Sequence, residues 1–142
     1  MPPAVFVSTG PLGLPPVEAA DVLAQNDVVA IEFSGGPFTP DAAAVVRQQG
    51  QRGLQVQVHN YFPPAPEPFV FNLCDPSAET RDMSRQLALD AIELTSQIGA
   101  TYYSFHGGFR CSPQVGNLGS PWPSLEMYPL AEALEVFGEE VT

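Results

Sequence analysis

Four short β-rich runs recur along this chain, each followed by a helical pattern, and that alternation limits the fold more than any other feature. The runs lie near residues 4–8, 28–33, 54–59 and 101–106. Pro15 and Pro16 open the first helical pattern, which continues through Glu18 to Leu23. Thr39 as N-cap with Pro40 at the first helical position opens a second, which runs from Ala42 to Gln49 and stops at Gly50. Asp75 followed by Pro76 opens a third, in which Met83, Leu87, Ala91, Leu94 and Ile98 recur at spacings of three and four and predict one buried stripe. Gly99 ends it, and a last helical pattern begins near Leu130. Helices alternating with short apolar runs imply a parallel sheet covered by helices.

Two closures of such a sheet compete, a doubly wound open sheet and a (β/α)8 barrel. A barrel typically needs about 250 residues, and this chain has 142. The barrel reading therefore makes residues 1–142 a single partial domain, the N-terminal half, with about four βα units.

The charge balance excludes several functions. Sixteen acids stand against five bases, for a net charge of −11, and all five bases are arginine. Such a chain is a poor ligand for nucleic acid, where lysine and arginine must neutralise phosphates. Small neutral or lightly charged substrates fit better. Without lysine there is no Schiff-base chemistry and no phosphate-loop lysine. No apolar run reaches the ~20 residues needed to cross a bilayer, and Met1-Pro2-Pro3-Ala4 lacks the basic start of a secretory signal. The expectation is a cytoplasmic protein without a membrane partner. Cys74 and Cys111 read as ordinary free thiols.

His59 and His106 are the only histidines, and they close the third and fourth runs. A strand, a crossover helix and a second strand make a parallel pair, so both rings are expected at the C-terminal edge of one sheet, where α/β proteins build their sites. A neutral imidazole there is a metal ligand or proton carrier. The competing reading is two strand-end histidines bonded to loop backbone. Glu32 is the one acid within the strand runs. Strand alternation puts Ala30 and Glu32 on one side and Ile31 and Phe33 on the other, which favours Glu32 facing a barrel mouth over a structural ion pair with an arginine. Asn60, Tyr61 and Phe62 follow His59, and Phe109 and Arg110 follow His106; these five are the candidate substrate contacts. Tyr61, Phe62, Phe105, Phe109 and Trp122 suit an aromatic wall against the apolar face of a sugar, or plain packing. Arg110 suits a substrate phosphate, or a solvated loop. Ser34-Gly35-Gly36 suits an anion held by backbone N–H groups, though such a triplet is more often a turn.

At these motifs a family resemblance enters. His59-Asn60-Tyr61-Phe62-Pro63-Pro64, then Pro68-Phe69-Val70-Phe71-Asn72-Leu73, then Tyr102-Tyr103-Ser104-Phe105-His106-Gly107-Gly108-Phe109, resemble the xylose isomerase-like barrel superfamily, in particular its sugar phosphate isomerases and epimerases, with endonuclease IV-type enzymes as relatives. Glu32-Phe33-Ser34-Gly35-Gly36 looks like the same group, and the resemblance runs from Val5 to Phe109.

The resemblance implies a (β/α)8 barrel with a divalent metal ion (Zn, Mn, Mg or Co) at its C-terminal face. In endonuclease IV-type members, histidines ending the third and fourth strands bind metal, and His59 and His106 match those positions. In the isomerase and epimerase members, carboxylates and a histidine from strands five to eight hold the metal, and histidines at the present positions contact substrate or a bound water. Most metal ligands are then expected beyond the C-terminus of this chain. The implied activity is metal-dependent isomerisation or epimerisation of a sugar or sugar phosphate, with Glu32, His59 and His106 as the catalytic groups. The alternative is endonuclease IV-like phosphodiester hydrolysis, which the acid excess opposes. A third reading is not enzymatic: a half barrel cannot close, its open edges invite pairing, and it is an inactive assembly fragment or docks with a second copy as a homodimer.

Overall fold

A computed structural model describes residues 5–119, 121 and 125–142. In chain order the elements are β1 (Val7–Ser8), α1 (Pro16–Gln25), β2 (Ala30–Ser34), α2 (Ala42–Gln51), β3 (Gln55–His59), α3 (Ala78–Gln97), β4 (Tyr103–Ser104) and α4 (Leu130–Glu140), with 3-10 turns at Gly10–Leu12 and Val115–Asn117. Two compact units divide the chain. The first holds the described residues up to Glu67 with Leu89–Phe105; the second holds Pro68–Ala88 with His106–Thr142.

The first unit carries a parallel sheet in the order β1-β2-β3-β4. A doubly wound sheet reverses its strand order at a switch point. Here each strand lies beside its predecessor, the progression of a barrel, so the architecture is an α/β half barrel of about four βα units. The edge strands are shorter than the β-rich runs. The run near 101–106 contributes only Tyr103 and Ser104, and the run near 4–8 only Val7 and Ser8, its start lying outside the described residues. An edge strand has one neighbour, so only the residues that find a partner there join the ladder.

Register sorts the side chains into two faces. Residues paired across parallel strands share a face, and successive residues alternate. Val7, Ile31 and Val56 form one row, and Phe33, Val58 and Tyr103 the next on the same side. Apart from Val7, which is exposed, these rows meet Ala20 and Leu23 of α1, Val45 and Val46 of α2, and Ala91 and Leu94 of α3. Ile31, Phe33 and Val58 are fully buried; each such side chain contributes about 1.5–3 kcal/mol of burial free energy. The opposite face carries Ser8, Glu32 and Gln57 in one row and Ser34, His59 and Ser104 in the next.

Three helices in this unit end alike. The amides of Val28, Leu54 and Ala100 reach back five residues to the carbonyls of Leu23, Gln49 and Thr95, while those of Asp27, Gly53 and Gly99 bond to Ala24, Gly50 and Ser96. Both bonds define the Schellman turn, whose closing residue adopts a left-handed conformation. That residue is Asp27 (φ 62), Gly53 (φ 88) and Gly99 (φ 68). Gly99 ends α3 as its sequence suggests. Gly50 does not end α2, which continues through Gln51 and turns at Gly53. Nor does Thr39 cap α2. Its Oγ1 donates to the carbonyl of Pro37, and the helix begins at Ala42 behind a turn over Pro40 and Asp41.

The second unit contains the start of α3, the segment before it, and α4. Met83 departs from the expected stripe at 40% exposure. Ser84 takes the inward place, fully buried, donating to the carbonyl of Thr80 and accepting from the amide of Asn72. On α4, Glu140 receives Arg81 at 2.9 Å and Arg85 at 2.6 Å, and Phe137 packs against Gly107.

Candidate functional site

The polar face of the first unit's sheet carries two side-chain pairs. Gln57 Nε2 donates to Glu32 Oε2 at 2.8 Å, directly across the β2–β3 register. His59 Nδ1 lies 2.9 Å from Ser104 Oγ, directly across the β3–β4 register. Gln57 and His59 are two residues apart on β3, so they project from the same face about 6.6 Å apart along the strand. Gln57 is buried, while Glu32 and His59 are half-buried. The residue just past β1 supports the edge of this face: buried Thr9 accepts the amide of Ser34 on Oγ1 at 3.1 Å and donates its own amide to the carbonyl of Glu32 at 2.9 Å.

Barrel interiors are usually filled by layers of branched apolar residues. Two consecutive rows of carboxylate, amide, imidazole and hydroxyl are instead suited to a polyhydroxylated ligand or to water. Charge-assisted bonds such as Gln57 to Glu32 contribute about 1.5–3 kcal/mol, enough to hold Glu32 in one orientation.

The expected substrate contacts beside His59 have other tasks. Phe62 is fully buried, with its ring centroid 5.3 Å from that of Phe33. It is a core residue and presents no surface to a ligand, which corrects its assignment as a substrate contact. Asn60 is buried in a left-handed turn (φ 48); its amide donates to the carbonyl of Ser104, and its carbonyl accepts the Tyr103 hydroxyl. Tyr61 is half-buried. Burial pushes the Tyr103 phenol well above its ordinary range, with the nearby Tyr61 adding to the shift. Tyr103 also stacks on Phe105, centroids 5.4 Å apart. Gly35 and Gly36 adopt φ of 58° and 108°, and a side chain at Gly36 would meet the carbonyl of Leu14 at 3.3 Å. The Ser34-Gly35-Gly36 triplet is a close-packed turn.

The second unit holds His106, exposed and two residues past the end of β4, together with Phe109 and Arg110. Phe109 donates its amide to Asn72 Oδ1 at 2.8 Å. Arg110 is exposed, and its Nε donates to the carbonyl of Tyr128 while its carbonyl accepts the Tyr128 amide. That donor is engaged with its own loop and not directed at a phosphate. Asn72, which sequence reasoning passed over, organises this unit. Fully buried, it accepts the Cys74 and Phe109 amides on Oδ1 and donates from Nδ2 to Asp75 and to the carbonyl of Cys111. Asp75 in turn accepts the Ser112 hydroxyl, which meets the Tyr128 hydroxyl. Burial pushes both thiols, Cys74 and Cys111, above their ordinary range, with Asp75 adding to the shift at Cys111. Trp122 lies outside the described residues.

Gln57 and Ser104, the partners that orient Glu32 and His59, also escaped sequence reasoning. A signal existed: parallel register sets a strand's site residue against whatever its neighbour carries at the same level. The register itself, however, is not written locally. Among the described residues no group of three or more His, Cys, Asp or Glu could hold a metal ion. Neither is any helix among them long and apolar enough to cross a membrane.

Comparison with known proteins adds one match. A family model described as xylose isomerase-like TIM barrel matches residues 20–139. No curated protein matches the chain.

Proposed function

This chain belongs to the xylose isomerase-like TIM barrel family, and from that premise we propose that it forms the substrate-binding half of a sugar or sugar phosphate isomerase or epimerase. The family includes sugar isomerases and epimerases as well as endonuclease IV. The observation that carries the reading is the polar sheet face, where Glu32 and His59, each fixed by a neighbour, stand in consecutive rows on one side of β2 and β3. Hydroxyl groups of a sugar both donate and accept. Glu32 accepts from them, and the imidazole of His59 does either according to its tautomer.

In this reading His59 and Glu32 orient the sugar. A divalent ion, when bound, would polarise a carbonyl and the adjacent hydroxyl. The donors among the described residues do not complete a coordination shell, so His59 is proposed as at most one ligand of it. A barrel of this kind has eight strands and these residues supply four, so the remaining ligands and the acid/base carboxylates are proposed to come from the other four, through further sequence or a second copy. Nucleic acid is disfavoured as substrate by the charge of −11.

The test is turnover by an assembled eight-stranded barrel containing these units. Sugars and sugar phosphates incubated in heavy water should incorporate deuterium beside the carbonyl, or hydride transfer should isomerise them without incorporation. Chelation should stop either reaction, and His59→Ala or Glu32→Gln should raise KM at least about tenfold, the equivalent of one lost bond of 1.4 kcal/mol. Turnover that survives exhaustive chelation, or a KM indifferent to both substitutions, would refute the reading.

A further inference from the structure

The end of the sheet opposite His59 opens into a cavity. Its volume is about 520 Å³, within the range of small-molecule sites. It lies where β3 begins and before β4 begins, against the C-terminal ends of α2 and α3. β3 spans about 13 Å from Gln55 to His59; the lining reaches Gln57, the partner of Glu32, but includes neither His59 nor Glu32.

The lining has a particular chemistry. Its polar side chains are Arg47, Gln51, Gln55, Gln57, Gln97 and Thr101; its apolar ones are Phe6, Leu54, Val56, Ile98 and Ala100. In a chain with sixteen acids, no Asp or Glu lines it among the described residues, and its single charge is the Arg47 guanidinium. Arg47 reaches across from α2 to α3, where its Nη1 donates to Gln97 Oε1 at 2.6 Å. Gln97 is itself oriented, because its Nε2 donates to Glu93. That bond uses one corner of the guanidinium. Among the described residues no other partner is present, so the Nε–Nη2 edge, the one that matches a carboxylate or phosphate with two parallel bonds, is available.

Helix C-termini oppose an anion, and two of them abut this cavity. Each contributes about 0.3–1 kcal/mol when exposed, and here the Schellman bonds already satisfy carbonyls of both last turns. A charge-assisted bond from arginine contributes about 1.5–3 kcal/mol, and a bidentate pair makes two. The guanidinium outweighs the helix ends.

We propose that this cavity binds a small organic anion, its carboxylate or phosphate group on Arg47 and its apolar body against Phe6, Leu54, Val56 and Ile98. The site lies at the face of the sheet that barrels use for stability rather than for chemistry, so its ligand is an effector and not a substrate. The inference rests on Arg47 and needs no role for His59; Gln57 borders both this cavity and Glu32.

Benzoate is the probe, with benzamidine and benzyl alcohol as its cationic and neutral counterparts, each titrated to millimolar concentration against the 15N-labelled chain. Benzoate should shift the amides of Gln51, Gly99 and Thr101 saturably and leave those of His59 and Ser104 in place, with both counterparts binding about tenfold more weakly or not at all. Arg47→Gln should weaken benzoate about tenfold, with the remaining spectrum unchanged. Should that variant not fold, Arg47→Lys keeps the charge but loses the fork, and should weaken benzoate about threefold. No saturable shift, equal binding of benzamidine, shifts centred on His59, or unaltered affinity in a folded Arg47 variant would each overturn the proposal.

Discussion

His59 and Ser104 are register partners across β3 and β4, and the serine hydroxyl lies 2.9 Å from the imidazole Nδ1. A hydrogen bond at one ring nitrogen decides what the other nitrogen offers, donor or lone pair. Ser104 therefore orients the His59 ring.

Replacing that serine should show it. Ser104→Ala is expected to cost about 1 kcal/mol in urea unfolding and to change the ratio of His59 tautomers read from its 15N shifts. Unchanged 15N shifts in a folded variant would mean that the hydroxyl does not set the ring.

Tyr103 makes a prediction about pH. Burial raises its phenol pKa above the ordinary value near 10 in the folded chain. A raised acid favours the protonated form in the native state. Its contribution to stability is then complete below about pH 10 and is lost as pH rises from there toward the folded value. Absorbance at 295 nm should show Tyr103 still protonated at pH 11 while the other tyrosines ionise. Tyr103→Phe should remove that late step and cost about 1 kcal/mol through its lost bond to Asn60.

The three helix-to-strand turns predict opposite signs. Gly53→Ala and Gly99→Ala should each destabilise by about 1–2 kcal/mol. A side chain at either site meets nothing within 4 Å, so the cost is backbone conformation alone. Asp27 occupies the same left-handed position without glycine's freedom, and Asp27→Gly should stabilise by about 0.5–1 kcal/mol. Chemical denaturation of the three variants checks the set, and a stability loss in Asp27→Gly would contradict it.

Gly108 tests the buried asparagine. An added methyl there would lie 2.2 Å from Asn72 Oδ1 and 3.2 Å from the amides of Leu73 and Cys74. Gly108→Ala should displace Asn72 from four hydrogen bonds and cost about 3 kcal/mol or more. It should also speed labelling of Cys111, a thiol that burial otherwise keeps protonated and covered. Labelling at the parent rate would show that the loop absorbs the methyl elsewhere.

How much of the fold was legible varied with the range of the signal. The four βα units and the end of α3 at Gly99 follow from periodicity and turn chemistry acting over a few residues. The barrel-type closure was one of two readings until the strand order chose it. The outward place of Met83 shows the limit: a residue at correct helical spacing lost its inward position to Ser84, because Asn72 needed a hydroxyl there. Phe62 shows another, since an aromatic beside a candidate site histidine has the same sequence signature whether it meets a ligand or, as here, Phe33.

What the amino-acid order decided alone was the succession of strands and helices, the excess of acid over base, and the family to which it belongs. What only the tertiary structure decided was which polar groups meet. Glu32 finds Gln57 twenty-five positions away and His59 finds Ser104 forty-five away, and a slip of one residue in register would send either partner to the opposite face. Local propensities extend over a helical turn or a strand, whereas that register is set by the packing of Ile31, Phe33 and Val58 beneath the helices.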